Sequence, residues 1–135
     1  EKARRRIAKI HARIADLRRD TLHKTTTAII DKQPSRIVLE DLNIKGMMQN
    51  RQLAKAIADV GFYEFRRQLT YKSELAGVEL IMAERFFPSS KRCSSCGNIK
   101  ADLTLGDRTY HCDSCGLVID RDLNAALNLK QWEYR

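Results

Sequence analysis

Cys93-Ser94-Ser95-Cys96-Gly97 and Cys112-Asp113-Ser114-Cys115-Gly116 are two copies of one short pattern, and Asp120-Arg121-Asp122-Leu123-Asn124-Ala125-Ala126 follows three residues after the second copy. Fifteen residues separate Cys96 from Cys112. Paired Cys-x-x-Cys units at that distance are what a four-cysteine zinc ribbon requires, since each pair brings two thiolates to one tetrahedral ion. The glycine after each second cysteine allows a tight turn in which backbone N–H groups approach the sulfurs. Soft thiolates select zinc, although iron can take the same four-sulfur geometry. Four protein ligands fill the coordination shell, so Cys93, Cys96, Cys112 and Cys115 read as a structural site. The ion would order a segment with few apolar residues of its own. Two disulfides would also consume four cysteines, but no secretion signal precedes them and the strict pairing favours a metal. A redox Cys-x-x-Cys needs only one pair. The expected compartment is reducing, intracellular and cytoplasmic.

Outward from this segment the composition changes on both sides. Upstream, residues 1–33 read as one long helix: Ile7, Ile10, Ile14 and Leu17 follow a 3-4-3 spacing that puts them on one face, and Thr21, Ala28 and Ile29 extend it. Gln33-Pro34-Ser35 ends it. Arg36-Ile37-Val38-Leu39-Glu40 is a short β-rich run whose three consecutive apolar residues predict a strand buried on both faces, with Asp41-Leu42-Asn43 in a loop behind it. Residues 44–51 read as a surface connection. From Gln52 to Gly77 the pattern is helical, with Leu53, Ile57 and Val60 on one stripe and Phe62, Phe65, Leu69 and Leu75 on another, a break at Gly61 and a C-cap at Gly77. Val78–Met82 is a second strand. Pro88-Ser89-Ser90-Lys91 opens the cysteine segment, and downstream Asp120 caps a last helix whose apolar face is Leu, Ala and Trp132. Strands separated by helices predict a layered α/β fold.

The 135-residue chain carries a net charge of +8, which points to a polyanionic partner, usually nucleic acid. Residues 1–35 hold ten Lys/Arg against four Asp/Glu, so the first helix is a candidate phosphate-contacting surface. Lys91, Arg92, Lys100 and Arg108 suggest a basic ribbon. No apolar run approaches the ~18–20 residues of a membrane-spanning helix, so no membrane partner is expected.

Glu40 ends a strand and Asp122 opens a helix. Asp120 can serve as the cap, which leaves Asp122 spare. In layered α/β folds strand ends and adjacent helix starts converge on the functional edge, where carboxylates can hold two Mg²⁺ ions for phosphodiester cleavage. A surface charge and a second cap are the plainer readings, and spacing alone leaves both open.

The strand Arg36–Asn43, the helix Gly61-Phe62-Tyr63-Glu64-Phe65 with Leu69-Thr70-Tyr71-Lys72, Ser89-Ser90, the two cysteine knuckles and Asp120–Ala126 occur in the same order as in the OrfB/TnpB family, which the chain resembles over nearly its whole length. These are transposon-encoded proteins of small insertion sequences, related to type V CRISPR effector nucleases. The resemblance implies an α/β, partial RNase H-like (RuvC-like) nuclease domain in residues 1–88 and 119–135, interrupted by a zinc ribbon at 89–118. It implies an RNA-guided DNA endonuclease with DNA and guide RNA as partners. Glu40 and Asp122 would be magnesium-binding catalytic carboxylates, with Arg121 beside them in the active-site motif. The family's first catalytic Asp sits on a strand ahead of the first helix. No strand precedes Glu1 and the chain does not start with Met, so a C-terminal portion of a longer protein is expected, inactive by itself. A non-catalytic zinc-ribbon module binding DNA or RNA, a nuclease-dead regulator and a zinc-stabilised interaction domain are the alternatives.

Overall fold

The structure is a computed structural model and describes residues 1–51, 54–104 and 106–132. In chain order its elements are α1 (Lys2–Ile30), β1 (Arg36–Glu40), α2 (Ile44–Gln49), α3 (Ala54–Val60), α4 (Phe62–Ala76), β2 (Glu79–Ala83), β3 (Thr109–His111), β4 (Val118–Asp120) and α5 (Arg121–Lys130). β1 pairs with β2 and β3 with β4, giving the mixed α/β composition expected. Two compact units emerge: Glu1–Arg36 with Asn43–Leu80, and Ile37–Leu42 with Ile81–Arg135. The division passes through β1 and β2.

In the first unit α1 packs on α4. Ile7, Ile10, Ile14 and Leu17 share one face of α1 and are all exposed, with Ile14 and Leu17 beside Val60 along a shallow groove. The packed part is the last three turns, and its seam is polar. Thr26, Gln68 and Ser73 are fully buried. Thr26 Oγ1 donates to Gln68 Oε1 at 3.0 Å, and Lys72 Nζ crosses to α1 to donate to His23 O at 2.9 Å and to the hydroxyls of Thr26 and Thr27, each at 2.7 Å. A lysine at α4's inner face thus substitutes for apolar packing by satisfying three acceptors at once.

The structure corrects three sequence expectations. Leu75 is 84% exposed, because six residues at ~100° each turn it about 120° away from buried Leu69. Residues 44–49 form helix α2 and not a connection: Asn43 caps it, its Oδ1 accepting the Gly46 N–H at 3.1 Å. Ile37, Val38 and Leu39 are half-buried, since β1 has one strand neighbour among the described residues. Gln52 and Leu53, where the sequence reading starts its second helix, lie outside the described residues. Ile57 is buried and Val60 exposed. The punctuation is as expected: Gly61 and Gly77 flank α4 with φ of 67° and 69°, a backbone region that costs glycine nothing.

The core of the second unit is small. Cys93, Tyr110 and Cys112 are buried together, with Leu103, Leu117 and Ile119 packed against them. β3 and β4 run antiparallel with Tyr110 opposite Ile119, which points both side chains of that pair to one face. Tyr110 donates its hydroxyl to Lys91 O at 3.1 Å, and burial pushes the phenol upward from its ordinary pKa.

Candidate functional site

The two knuckles fold alike. Cys93 N donates to Asn98 O at 2.8 Å and Gly97 N to Cys93 O at 2.9 Å; Cys112 N donates to Leu117 O and Gly116 N to Cys112 O, both at 2.9 Å. Gly97 and Gly116 hold φ of 78° and 74°, the left-handed turn that sequence alone predicts for them. All four cysteines are free thiols, and their sulfurs lie within 4.8 Å of one another. Across the knuckles Cys93 Sγ is 3.7 Å from Cys115 Sγ, and Cys96 Sγ is 3.6 Å from Cys112 Sγ. A tetrahedron with Zn–S bonds of ~2.3 Å has an edge of about 3.8 Å. A disulfide would need ~2.05 Å. The cluster therefore fits a metal such as zinc.

Its electrostatics fit as well. The Cys115 N–H, helped by that of Ser114, holds the Cys112 thiol down to about 6. Cys115 accepts the Leu117 N–H, which pulls its pKa down, yet burial and the neighbouring thiols push it up to about 11. Four crowded thiols resist ionising together until a cation supplies the opposite charge. Around the site the lysines act as staples: Lys91 Nζ donates to Ala101 O at 2.9 Å and Lys100 Nζ to Asp113 at 2.6 Å. The expected basic ribbon is thus largely offset. The second unit contains eight Lys/Arg and nine Asp/Glu, whereas the first contains seventeen and eight, a net +9.

The ribbon is bolted to α5 by two asparagines. Asp120 Oδ1 caps α5, accepting from Asp122 N at 2.9 Å and Leu123 N at 3.0 Å. Asn124 is fully buried; its Oδ1 accepts the Ser94 N–H at 2.9 Å and its Nδ2 donates to Arg92 O at 2.7 Å. One turn on, Asn128 Nδ2 donates to Ser89 O at 2.8 Å and to Arg92 O at 2.6 Å. The sequence reading missed these roles. The signal was an Asn pair at i, i+4 on a helix with exposed Leu123 between the cap and the first Asn, placing amides where an apolar stripe belongs.

The carboxylates sit on the same framework. Glu40, at the end of β1, accepts a hydrogen bond from the buried Ser89 hydroxyl, and Ser89 is the residue whose carbonyl Asn128 holds. Asp41 next to it pairs with Arg85 at 2.8 Å. The Asp122 side chain is 76% exposed, with Arg121 Nη2 at 3.4 Å, and takes no part in the cap, as expected. Arg121 Nη1 lies 3.4 Å from Thr104 O. Among the described residues the cysteines form the one group of three or more ligand side chains close enough to share an ion, and neither Glu40 nor Asp122 belongs to such a group.

A mixed α/β architecture whose four clustered cysteines fit a zinc ribbon, held to α5 by two asparagines, defines a zinc-ribbon protein. The narrower assignment comes from comparison with known proteins. Residues 62–129 match the Cas12f1-like TNB domain family and residues 1–51 match the OrfB_IS605 "probable transposase" family; the chain belongs to the OrfB/TnpB family and carries its Cas12f1-like TNB domain. It is 45% identical over 129 residues to a Streptomyces pristinaespiralis protein named "Putative RNA-guided DNA endonuclease", covering 96% of this chain and 32% of that one. A Mycobacterium tuberculosis protein of the same description is 36% identical, with 94% and 28% covered. The chain thus spans about a third of the length of these relatives. In fold it resembles a solved Cas12f1–sgRNA–target DNA complex, with a TM-score of 0.73 at 20% identity, covering 94% of this chain and 38% of that one. No helix among the described residues is long and apolar enough to cross a membrane.

Proposed function

We propose that this chain is part of an RNA-guided DNA endonuclease encoded by an insertion sequence, in which residues 1–88 and 119–135 contribute to a RuvC-like domain of RNase H-like fold and residues 89–118 are its inserted zinc ribbon. The observation that carries the reading is the path from Glu40 through Ser89 and Asn128 to α5. It ties two carboxylates far apart in sequence to one rigid framework, as a metal-dependent nuclease requires. Glu40 and Asp122 offer the hard oxygen ligands that Mg²⁺ takes. Magnesium held there would supply an activated water and stabilise the leaving oxygen. Ser89 holds one oxygen of Glu40, and Arg121 steadies the Asp122 carboxylate. Zinc stays out of the chemistry and orders the approach to Asp122. DNA and guide RNA are the partners.

The test is cleavage by the complete protein with its guide and Mg²⁺. Glu40→Gln and Asp122→Asn should each abolish cutting while zinc content and circular dichroism stay as in the parent; undiminished cutting by either variant refutes its assignment. A first unit of net +9 favours a second reading, a non-catalytic nucleic-acid-binding module. Binding without cutting by the complete protein would select it.

A further inference from the structure

α1 presents an apolar seam to solvent. Ile7, Ile10, Ile14 and Leu17 repeat at the alternating three- and four-residue spacing of a coiled-coil heptad, and they are 54, 52, 38 and 58% exposed. From Ile7 to Leu17 the seam runs ~15 Å along the helix axis. At its C-terminal end it opens into a shallow groove of about 270 Å³ lined by Ile14, Leu17, Arg18, Thr21, Leu22 and Val60, and Val60, on α3, is itself exposed. Contiguous exposed apolar surface of this kind marks a contact site. The charges beside the seam favour one sign. Arg6 and Arg13 flank it on one side, Arg4 and Arg18 on the other. The carboxylates near them are engaged elsewhere: Glu1 with Arg5, Asp16 with Arg19 and Asp20 with Lys24. Arg4, Arg6 and Arg13 therefore have no carboxylate partner among the described residues.

We propose that this seam docks an amphipathic helix of a protein partner, whose apolar stripe covers Ile7, Ile10, Ile14 and Leu17 and whose flanks set Asp or Glu against the arginines. The spacing selects a helix: a stripe only two positions wide per heptad is the width that one facing helix fills. The charge selects the partner. Two copies of α1 laid together would set arginine against arginine along their flanks, which disfavours a homodimer, whereas acidic flanks pair with them. A phosphate backbone would take the arginines but leave four aliphatic side chains in water. A lipid surface calls for a broader apolar face than this seam, commonly with aromatic residues, and no aromatic lies in α1. Such a contact is separate from nuclease chemistry, so either can fail without the other.

The experiment is fluorescence anisotropy of the zinc-loaded chain with labelled synthetic peptides of about three heptads. One has leucine at the seam positions and glutamate on both flanks, the second has lysine on the flanks, and the third keeps the glutamates but has glutamine along the seam. The first should bind saturably and the other two at least tenfold more weakly. Ile10→Gln and Leu17→Gln should each weaken binding of the first peptide by about tenfold, the loss of one apolar side chain from the contact. Arg13→Glu should weaken it by a similar factor and tighten binding of the lysine peptide, a reversal that a loss of fold would not produce. All three positions lie on the exposed surface of α1, and an unchanged circular dichroism spectrum checks the fold. Equal binding of the first and third peptides, or of the first and second, overturns the proposal, as does unchanged affinity in Ile10→Gln and Leu17→Gln. Concentration-dependent self-association of the chain in sedimentation, abolished by Ile10→Gln, would assign the seam to a second copy instead. Binding of a nucleic acid or of anionic vesicles that is lost in Ile10→Gln, without binding of the first peptide, would likewise overturn the assignment to an acidic helix. The nuclease reading survives each of these outcomes, because none of them touches Glu40 or Asp122.

Discussion

Replacing Asn124 and Asn128 with alanine, singly and together, should expose a coupling set by one shared atom. Arg92 O accepts from both amides, at 2.7 and 2.6 Å. Asn124→Ala orphans the Ser94 N–H but leaves Arg92 O with its bond from Asn128. Asn128→Ala orphans Ser89 O and leaves Arg92 O with Asn124. Each single change should therefore cost about 1–3 kcal/mol, the penalty for one buried polar group losing its partner. The double variant strips Arg92 O as well, so it should cost more than the sum by about 1 kcal/mol, a coupling typical of residues in one hydrogen-bond network. The assay is urea unfolding at fixed excess zinc, followed by fluorescence of Trp132, the one tryptophan in the chain, buried just beyond α5. Zinc must be held constant because it binds the folded state. Additivity within about 0.3 kcal/mol would refute the shared-acceptor argument. A single-variant cost below about 0.5 kcal/mol would mean that water replaces the amides and that the joint between ribbon and α5 is wet.

Three further outcomes are expected. Gly97→Ala should destabilise the zinc-bound fold more than Gly116→Ala: both pay about 1–2 kcal/mol for a left-handed backbone, but only at residue 97 does the added Cβ meet a neighbour, Arg92 Nη2 at 3.3 Å; equal unfolding midpoints would contradict this. Lys72→Met should lower the stability of the helical unit by about 1–3 kcal/mol, since it leaves three acceptors on α1 without their donor, and Lys72→Arg should not restore it; far-ultraviolet circular dichroism in urea reads the loss. Glu64 has its folded pKa lowered from 4.5 to about 2, mainly by Arg67. Its contribution is present above about 4.5 and is lost as pH falls through about 2. Glu64→Gln should therefore lower the thermal midpoint at neutral pH and narrow the gap to the parent in acid; a gap constant over that window would show that the Arg67 clamp is not what sets it.

The zinc site was legible because its signal is local: two short repeats with fixed glycines contain the ligands, the turns and the spacing, and the knuckles repeat down to their backbone hydrogen bonds. The Asp120 cap and the Gly61 and Gly77 boundaries were legible for the same reason. The α1 stripe was legible as one face of a long helix, but periodicity reports which side chains share a face and says nothing of what covers it. The α1–α4 seam was invisible for a deeper reason. Thr26, Gln68, Lys72 and Ser73 are ordinary surface residues by composition, and they are inside only because the two helices bring donors and acceptors into register. Asn124 and Asn128 escaped likewise: their partners are backbone atoms some thirty or more positions earlier, which no local pattern reveals. Glu40 and Asp122 could be nominated by position and by resemblance, but the serine and the asparagine that frame them came from three dimensions.

The second unit takes residues Ile37–Leu42 from within the stretch that builds the first, and everything else from Ile81 onward. On a ribosome these parts are born far apart in time. Of the residues here, the last that the first unit uses is Leu80. The Glu40 segment then waits for Ser89 to meet it and for Asn128 to lock Ser89. At ~5–20 residues per second that wait is on the order of ten seconds, during which β1 has neither the ribbon nor α5. The metal knuckles close late, and the segment bearing Glu40 is secured last of all, although it was made early. Any early stop before Asn128 would therefore leave Ser89 O without its amide partner and the Glu40 segment without the joint to α5.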